Sequence, residues 1–299
     1  MAFGERLERL VAARESQIVL GLDPDPARLW PEALERAPAA GTPAQRAAGA
    51  VRAQCAALIE AAGPACVAVK AQLACFERLG ADGWAALAAT VEHAREAGLL
   101  VIADAKRGDV DVSAAAYAQA LVGATPTPFG DVPGLDADAF TANPLLGVDA
   151  LAPFVDGARA AGAGIFVLVR TSNSGAADVE DLELAGGGSV SERLAQIVAR
   201  LAGPGEGLSD VGAVVGATVP EQLARMRELM PRAPFLLPGV GAQGGRVEDL
   251  APAFAAGRGG GLVSASRSIA RAHEREGGSP REAARAEAER LRELAWSLA

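Results

Sequence analysis

The chain has 299 residues, 50% of them hydrophobic, and a formal net charge of −9 at pH 7. That apolar content suffices for one large α/β barrel or for two modest domains. The acidic balance argues against a nucleic-acid-binding protein, which needs a basic face, whereas an anionic small substrate requires only a local positive pocket.

The N-terminal segment predicts an amphipathic helix. Glu5 and Glu8 lie among its arginines, and it lacks the small-residue cleavage site of a signal peptide. The longest apolar runs further along, such as residues 164–169, are far too short to span a bilayer. On these grounds we expect a cytoplasmic protein.

Short, apolar, β-branched runs recur along the rest of the chain and predict eight strands. Their residues are 17–23, 65–71, 99–106, 139–144, 164–172, 211–218, 234–240 and 261–266. They are almost continuously hydrophobic, as strands covered on both faces are. Alternation with helical segments predicts a single-domain α/β fold, a (β/α)8 TIM barrel over residues 1–299. A doubly wound open sheet is the alternative, but no G-x-G-x-x-G follows the first strand.

The helical segments between the strands carry start and stop signals. They are residues 42–63, 83–98, 189–203 and 219–231. Gly63 and Gly98 end the first two. Ser191 and Thr218 are the expected N-caps of the last two, and Pro220 suits a first helical turn.

Two connections are unusually long, and the C-terminus is helical. Residues 124–138 and 172–189 form extended loops, which in compact domains are usually functional. We expect both near the carboxyl ends of the strands, where barrel active sites form, and the second is a candidate lid. The amphipathic segment 281–299 predicts a helix packed on the barrel.

Cysteine and histidine offer little chemistry. Cys55, Cys66 and Cys75 form no C-x-x-C pair, and reduced structural thiols are expected. His93 and His273 fall in charged helical segments, which leaves no material for a histidine-based triad or a His-rich metal site.

The third predicted strand ends in the charged stretch DAKRGD. Residues two apart on a strand share a face, so Asp104 and Lys106 should both point into the barrel mouth, with Arg107 on the opposite side. Lys70 ends the second predicted strand and Asp23 ends the first. The sequence therefore predicts two carboxylates and two ammonium groups around one opening.

The lysine count favours a catalytic interpretation of this cluster. Of 28 basic residues, only Lys70 and Lys106 are lysines, and both end apolar strand-like runs. A lysine flanked by carboxylates is held charged, which disfavours Schiff-base chemistry. It is suited to stabilise a developing carbanion and then to protonate it. A structural ion-pair network is the alternative interpretation.

Glycine-rich and arginine-bearing segments follow the last two predicted strands. PGVGAQGG spans residues 238–245, and SASRS spans residues 264–268. Barrels often bind phosphate after strands seven and eight, where glycines let backbone N–H groups approach an anion. Arg267 would add a fixed charge with a bidentate fork. A tight turn with a surface arginine is the alternative.

Together these motifs resemble orotidine 5′-phosphate decarboxylase over about residues 15 to 270. The resemblance rests on DAKRGD, GLDPDP, VAVKAQ, PGVGAQGG and SASRSI, while FERLG and TANPLLG resemble the longer bacterial subfamily, type 2. The D-x-K-x-x-D spacing alone is shared with sugar-phosphate relatives.

The resemblance implies conversion of orotidine 5′-monophosphate to uridine 5′-monophosphate (UMP) and CO2, the last step of UMP and pyrimidine biosynthesis, without a metal or organic cofactor. Lys106 would donate a proton to pyrimidine C6, and Asp104 would lie against the substrate carboxylate. Asp109 would enter from the second subunit of a homodimer. Asp23 and Lys70 would bind the ribose hydroxyls.

It also implies contacts at the two ends of the nucleotide. Ser172, with Ser174 as the alternative, would contact the pyrimidine, and Gln243 would bridge base and phosphate. Arg267 would clamp the phosphate, and Ser113 would be the partner chain's hydroxyl near the substrate. Gly241, Gly244 and Ser266 would complete the phosphate loop; Ala265 and Ser266 precede Arg267 where shorter family members have a glycine. Asn143 ends the fourth strand at the mouth without an assigned role.

Two other functions remain open from the sequence. One is a metal-dependent sugar-phosphate decarboxylase or lyase of the same suprafamily. The other is a non-catalytic barrel that binds a phosphometabolite. The retained lysine pair speaks against the second, because arginine would serve for binding alone.

Overall fold

Eight parallel strands close into a barrel in the computed structural model, which describes residues 1–299. The strands are β1 (Ile18–Leu22), β2 (Ala68–Gln72), β3 (Leu100–Arg107), β4 (Ala139–Ala142), β5 (Gly164–Arg170), β6 (Val211–Val215), β7 (Phe235–Leu237) and β8 (Gly261–Ala265). They follow one another around the barrel in chain order, and β8 pairs with β1. The predicted (β/α)8 fold is confirmed, and each predicted run overlaps one strand.

Helices surround the barrel. They are α1 (Phe3–Arg14), α2 (Pro31–Glu35), α3 (Pro43–Ala62), α4 (Leu73–Glu77), α5 (Gly80–Glu96), α6 (Asp111–Val122), α7 (Val148–Ala160), α8 (Val190–Ala202), α9 (Pro220–Leu229), α10 (Arg267–Ala270), α11 (Ala272–Glu276) and α12 (Pro280–Leu298). A 3₁₀ helix, Val247–Ala256, covers the barrel after β7. None of these helices is both long and apolar enough to cross a membrane.

The N-cap predicted for α8 is wrong. Ser189, not Ser191, caps this helix: its Oγ accepts a hydrogen bond from the N–H of Glu192 at 3.2 Å, and the Glu192 carboxylate accepts from the N–H of Ser189 at 3.3 Å. This reciprocal capping box requires an acidic residue three positions after the cap, which only Ser189 has. Ser191 is buried in the first turn.

The N-cap predicted for α9 is also wrong, although Pro220 does begin the helix. Val219 occupies the cap position and makes no side-chain capping bond. The hydroxyl of Thr218 instead donates to the backbone oxygen of Ser172 at 3.1 Å. Thr218 therefore ties the segment after β6 to the loop after β5.

Helix α1 closes the amino-terminal end of the barrel. Phe3, Leu7 and Val11 are buried there among strand residues, and the Phe3 ring packs edge-on against Phe166 at 6.0 Å. Gly164 makes room for this ring, because a Cβ at that position would lie 2.3 Å from Phe3 Cδ1. With one end plugged, the opposite, carboxyl-terminal end remains as the mouth.

The loop 124–138 lies at this plugged end, contrary to expectation. It precedes β4, and its last residue, Asp138, pairs with Arg6 of α1 at 2.6 Å and accepts from the N–H of Val101 at 2.9 Å. A connection from helix to strand necessarily arrives at the amino-terminal side. The loop 172–189 follows β5 and does lie at the mouth. The C-terminal helix α12 packs on the barrel as predicted, burying Ala284, Ala288 and Leu291.

Candidate active site

Four charges from three neighbouring strands meet at the barrel mouth. Lys106 Nζ lies 2.5 Å from Asp104 Oδ1, and Lys70 Nζ lies 2.7 Å from Asp104 Oδ2. Lys70 Nζ is also 3.7 Å from Asp23 Oδ1. The predicted cluster therefore forms, with Asp104 at its centre and 7% exposed.

Strand register and a local bend bring these side chains together. The pairing of β2 with β3 sets Gln72 beside Asp104, and the pairing of β1 with β2 sets Gly21 beside Lys70. Near its end β3 shifts register against β4, and Lys106 adopts a left-handed backbone with φ of 47°. That conformation costs a non-glycine residue roughly 1–2 kcal/mol. The backbone is thus strained at the residue that carries the exposed ammonium group.

Thr141 belongs to this cluster, and the sequence analysis missed it. Its hydroxyl donates to Asp104 Oδ1 at 2.9 Å and accepts from the backbone N–H of Lys106 at 2.9 Å. Asn143, which the sequence singled out, does not line the cavity; its Oδ1 accepts from the N–H of Leu145 in a turn. The period of two would have found Thr141, which shares a strand face with Asn143.

Asp104 and Lys70 hold each other ionised. Burial alone would raise the pKa of Asp104, but the positive charges of Lys70 and Lys106 outweigh it and hold that pKa well below its usual range. Burial likewise opposes the charged form of Lys70, yet Asp104 and Asp23 raise the pKa of Lys70 above its ordinary value. At neutral pH, Asp104 is therefore a carboxylate and Lys70 an ammonium group.

A cavity of about 500 Å³ opens above these charges. Leu168, Val214 and Leu236 form part of its apolar lining. Its polar lining includes most of the predicted site residues, namely Asp23, Lys70, Asp104, Lys106, Ser172, Gln243, Ser266 and Arg267. Gln72, Cys75, Thr141, Thr171 and Asn173 also line it, and the sequence analysis had not placed these five in the site. Ser174 does not line it, so of these two serines only Ser172 reaches the cavity.

The arginine end of the cavity depends on a close contact between β1 and β8. A Cβ on Gly21 would lie 2.6 Å from Ser266 Cβ, so the absence of a side chain on Gly21 lets Ser266 occupy its position. Arg267 follows directly, is exposed and makes no ion pair within the chain. Its guanidinium group is therefore available to an anion.

The glycine-rich turn after β7 closes on itself. The N–H of Gly241 donates to the oxygen of Gly245, and the N–H of Gly244 donates to the oxygen of Gly241, both at 2.9 Å. Gly241 and Gly244 have positive φ values and do not line the cavity, whereas Gln243 between them does. The turn thus presents a side-chain amide to the cavity.

Asp109 and Ser113 lie outside the cavity of their own chain. Ser113 is exposed and Asp109 is half-buried, and Asp109 Oδ1 accepts only the N–H of Val110, at 2.8 Å. Arg107 points away from the mouth, as strand alternation predicts: it pairs with Glu77 and lies 5.4 Å from the centre of the Tyr117 ring.

A closed (β/α)8 barrel with a lysine–carboxylate cluster beneath an arginine-lined mouth defines a TIM-barrel enzyme with an anion-binding site. The chain belongs to the Orotidine 5′-phosphate decarboxylase / HUMPS family, whose model matches residues 16–286.

Individual relatives agree with this placement. The orotidine 5′-phosphate decarboxylase of Deinococcus radiodurans is 49% identical over 232 residues, covering 76% of this chain and 79% of the relative. The enzyme of the same name from Rhodopirellula baltica is 39% identical and covers 92% of this chain and 90% of its own length. The solved structure of Leishmania donovani OMP decarboxylase superimposes with a TM-score of 0.73 at 33% identity, covering 99% of both chains.

Proposed function

We propose that this protein is a carboxy-lyase that converts orotidine 5′-monophosphate into UMP and CO2. The observation that carries the proposal is the Lys70–Asp104–Lys106 cluster at the floor of the mouth cavity. The relatives named for this decarboxylation favour it over the sugar-phosphate lyase and over a non-catalytic barrel.

The reaction requires stabilisation of a carbanion that the pyrimidine ring does not delocalise. The bond between C6 and the carboxylate breaks, CO2 leaves, and the electron pair remains on C6. The Lys106 ammonium group would stabilise that charge as it forms and then donate a proton to C6. Lys106 afterwards regains its proton from solvent, so neither metal nor organic cofactor enters the proposed steps.

The rest of the cluster supports this step. Asp104 would lie against the substrate carboxylate, where repulsion between two negative charges is relieved as CO2 departs. Lys70, 2.7 Å from Asp104, helps to keep that carboxylate ionised and, with Asp23, would bind the ribose hydroxyls. Thr141 holds both Asp104 and the backbone of Lys106, which fixes the distance between the two reacting charges.

The nucleotide would extend across the cavity away from this cluster. Arg267, Ser266 and Gln243 would bind the phosphate, and Ser172 would contact the pyrimidine. Binding energy from a remote phosphate can be used to order the reacting end of a substrate. The loop 172–189 at the mouth is placed to act as the lid.

We also propose a homodimer in which Asp109 and Ser113 reach the partner's cavity. Ser113 is exposed and Asp109 is half-buried, and the same surface carries apolar side chains that a monomer would leave in water, including Val112 at 83% and Leu145 at 80% exposure. A Cβ on Gly108 would lie 3.1 Å from the oxygen of Asn143, so the segments bearing Val112 and Leu145 are neighbours. Exposed apolar side chains on neighbouring segments are typical of protein interfaces.

A cytoplasmic location is the further part of the proposal. All three cysteines are free thiols, and burial raises the pKa of Cys55 and of Cys66 to about 12. Unpaired, inert thiols suit a reducing compartment.

The proposed function is tested by incubating the purified protein with orotidine 5′-monophosphate and following the ultraviolet change as the substrate loses its carboxylate. We expect turnover that is unchanged by a chelator. No turnover of the nucleotide would overturn the proposal, and activity lost on chelation would return the metal-dependent lyase to consideration.

A further inference from the structure

Arg170 is a buried charge beside the cavity that the proposed chemistry does not use. It is the last residue of β5, is 5% exposed and does not line the cavity. Its Nε and Nη2 donate to the two carboxylate oxygens of Asp181, each at 2.8 Å, and its Nη1 donates to the backbone oxygen of Thr171 at 2.7 Å. This is the parallel, two-bond geometry in which arginine binds a carboxylate most strongly.

Glu180, next to Asp181, binds Thr171, the residue after Arg170. One of its carboxylate oxygens accepts from the backbone N–H of Thr171 at 2.7 Å, and the other lies 3.0 Å from the Thr171 hydroxyl. Glu180 and Asp181 lie nine to eleven residues further along the chain than the residues they hold. The two ends of the arc from Ser172 to Val179 are therefore tied together at its base.

Ser172, which follows Thr171, is tightly confined by its neighbours. A Cβ on Gly216 would lie 2.8 Å from Ser172 Cα, and a Cβ on Gly239 would lie 3.0 Å from Ser172 Cβ. Thr218 donates to the Ser172 oxygen at 3.1 Å. Ser172 is thus seated between two glycines, and a small shift of Thr171 would displace it from the cavity wall.

We infer that Arg170, Glu180 and Asp181 form a positioning clamp that holds Ser172 against the base of the bound nucleotide and thereby sets affinity for the base. This inference rests on the proposed function and deepens it, since it names residues that govern one end of the substrate without touching it. Hydrogen bonding by Arg170 lowers the pKa of Asp181, which agrees with a permanently charged pair. Lysine could not replace Arg170, because an ammonium group lacks the planar fork.

The test compares two competitive inhibitors of orotidine 5′-monophosphate turnover, UMP and ribose 5-phosphate, which shares the phosphate and sugar but has no base. In Asp181→Asn the second oxygen is replaced by an NH2 group that faces the guanidinium, so the two-bond contact is lost. We expect the inhibition constant of UMP to rise about tenfold, which corresponds to about 1.4 kcal/mol. The constant of ribose 5-phosphate should stay within about twofold, since a tenfold change is the effect ascribed to the base.

Arg225→Gln is the matched control. It removes the ion pair between Arg225 and Glu192, 2.6 Å long, at the start of α8 and near the same loop, but touches neither Thr171 nor Ser172. Both inhibition constants should equal those of the wild type. Arg170→Lys, which keeps the charge and loses the fork, should behave like Asp181→Asn. If Asp181→Asn does not fold, Glu180→Gln serves for the same comparison.

The possible outcomes distinguish failure of the clamp proposal from failure of the proposed function. An unchanged UMP constant in folded Asp181→Asn, or an equal rise for both inhibitors, would overturn the clamp alone. Absence of UMP binding and of turnover in the wild type would overturn the proposed function and the clamp with it.

Discussion

Replacing Asp104 by Asn probes the electrostatic centre of the site, because it removes one negative charge and changes little else in shape. Lys70, whose side chain is 8% exposed, would lose its partner at 2.7 Å and keep only Asp23 at 3.7 Å. Removing one partner of a buried pair typically costs about 3–5 kcal/mol. Since Asp23 remains, we expect the lower end, about 3 kcal/mol at pH 7, and a melting temperature lower by about 6–12 °C.

The pH dependence of this loss has a definite sign. In the wild type the pKa of Asp104 is lowered and that of Lys70 is raised. The stabilisation from the lowered pKa of Asp104 is fully present above the unfolded carboxylate pKa of about 4. The stabilisation from the raised pKa of Lys70 is fully present below the unfolded lysine pKa of about 10.4. Both are therefore constant between about pH 5 and 9.

In Asp104→Asn, burial is no longer outweighed, so the folded pKa of Lys70 falls below its unfolded value. The unfolded chain then binds more protons than the folded one, and the stability of the variant rises with pH. Urea unfolding at pH 6, 7, 8 and 9 should show its deficit shrinking as pH increases. Arg28→Gln, which breaks an exposed pair with Glu274, should cost less than about 1 kcal/mol at every pH. A deficit in Asp104→Asn that is small, or that does not change with pH, would refute the reasoning.

Three further substitutions test the site and the scaffold. Lys106→Ala should lower turnover by at least about 10⁴-fold, because it removes both the proposed proton donor and its stabilising charge, while circular dichroism stays unchanged; near-normal decarboxylation would contradict the proposed role. Gly21→Ala should raise the KM by about tenfold in steady-state kinetics, since its Cβ would meet Ser266 Cβ at 2.6 Å and displace Arg267, the proposed phosphate ligand; an unchanged KM would show that this contact does not position the arginine. Arg227→Met should destabilise the fold by about 3 kcal/mol or more in urea unfolding, because the buried guanidinium bonds four backbone oxygens at 2.8–2.9 Å; a loss below about 1 kcal/mol would contradict that role.

The fold was predictable because its signals are local and repeated. Eight apolar runs at regular spacing specify a parallel barrel, and glycine and proline mark the helix ends. The errors fall where a boundary depends on a partner elsewhere in the chain. Six predicted strands extend past their observed carboxyl ends, four of them by two or three residues, since the backbone there turns toward polar groups of the mouth. The N-cap of α8 depends on Glu192, and Thr218 is engaged by Ser172 rather than by α9.

The charged residues of the candidate site were predictable from the sequence, but the residues that position them were not. Strand alternation places Asp104 and Lys106 on one face, and their residue types stand out against an arginine-rich chain. Strand alternation could have placed Thr141 on the same face, but the residue types of Thr141 and Arg170 do not stand out, and their partners lie 37 and 11 residues away in sequence. The register between β3 and β4 brings Thr141 to Asp104, and the return of the 172–189 loop brings Asp181 to Arg170.

The surroundings of Lys70 and Lys106 explain how two lysines of identical charge can have different roles. Lys70 is buried, and its charge is bound to Asp104 and Asp23, so its proton is held more tightly than in a free lysine. Lys106 keeps 45% of its side chain exposed and stands on a strained, left-handed residue at the rim of the same carboxylate. A proton donor must reach the reacting carbon and be reprotonated from solvent, which a buried ammonium group cannot do. In the proposed mechanism the geometry therefore divides the pair: Lys70 fixes the charge of Asp104, and Lys106, at the exposed rim, would deliver the proton.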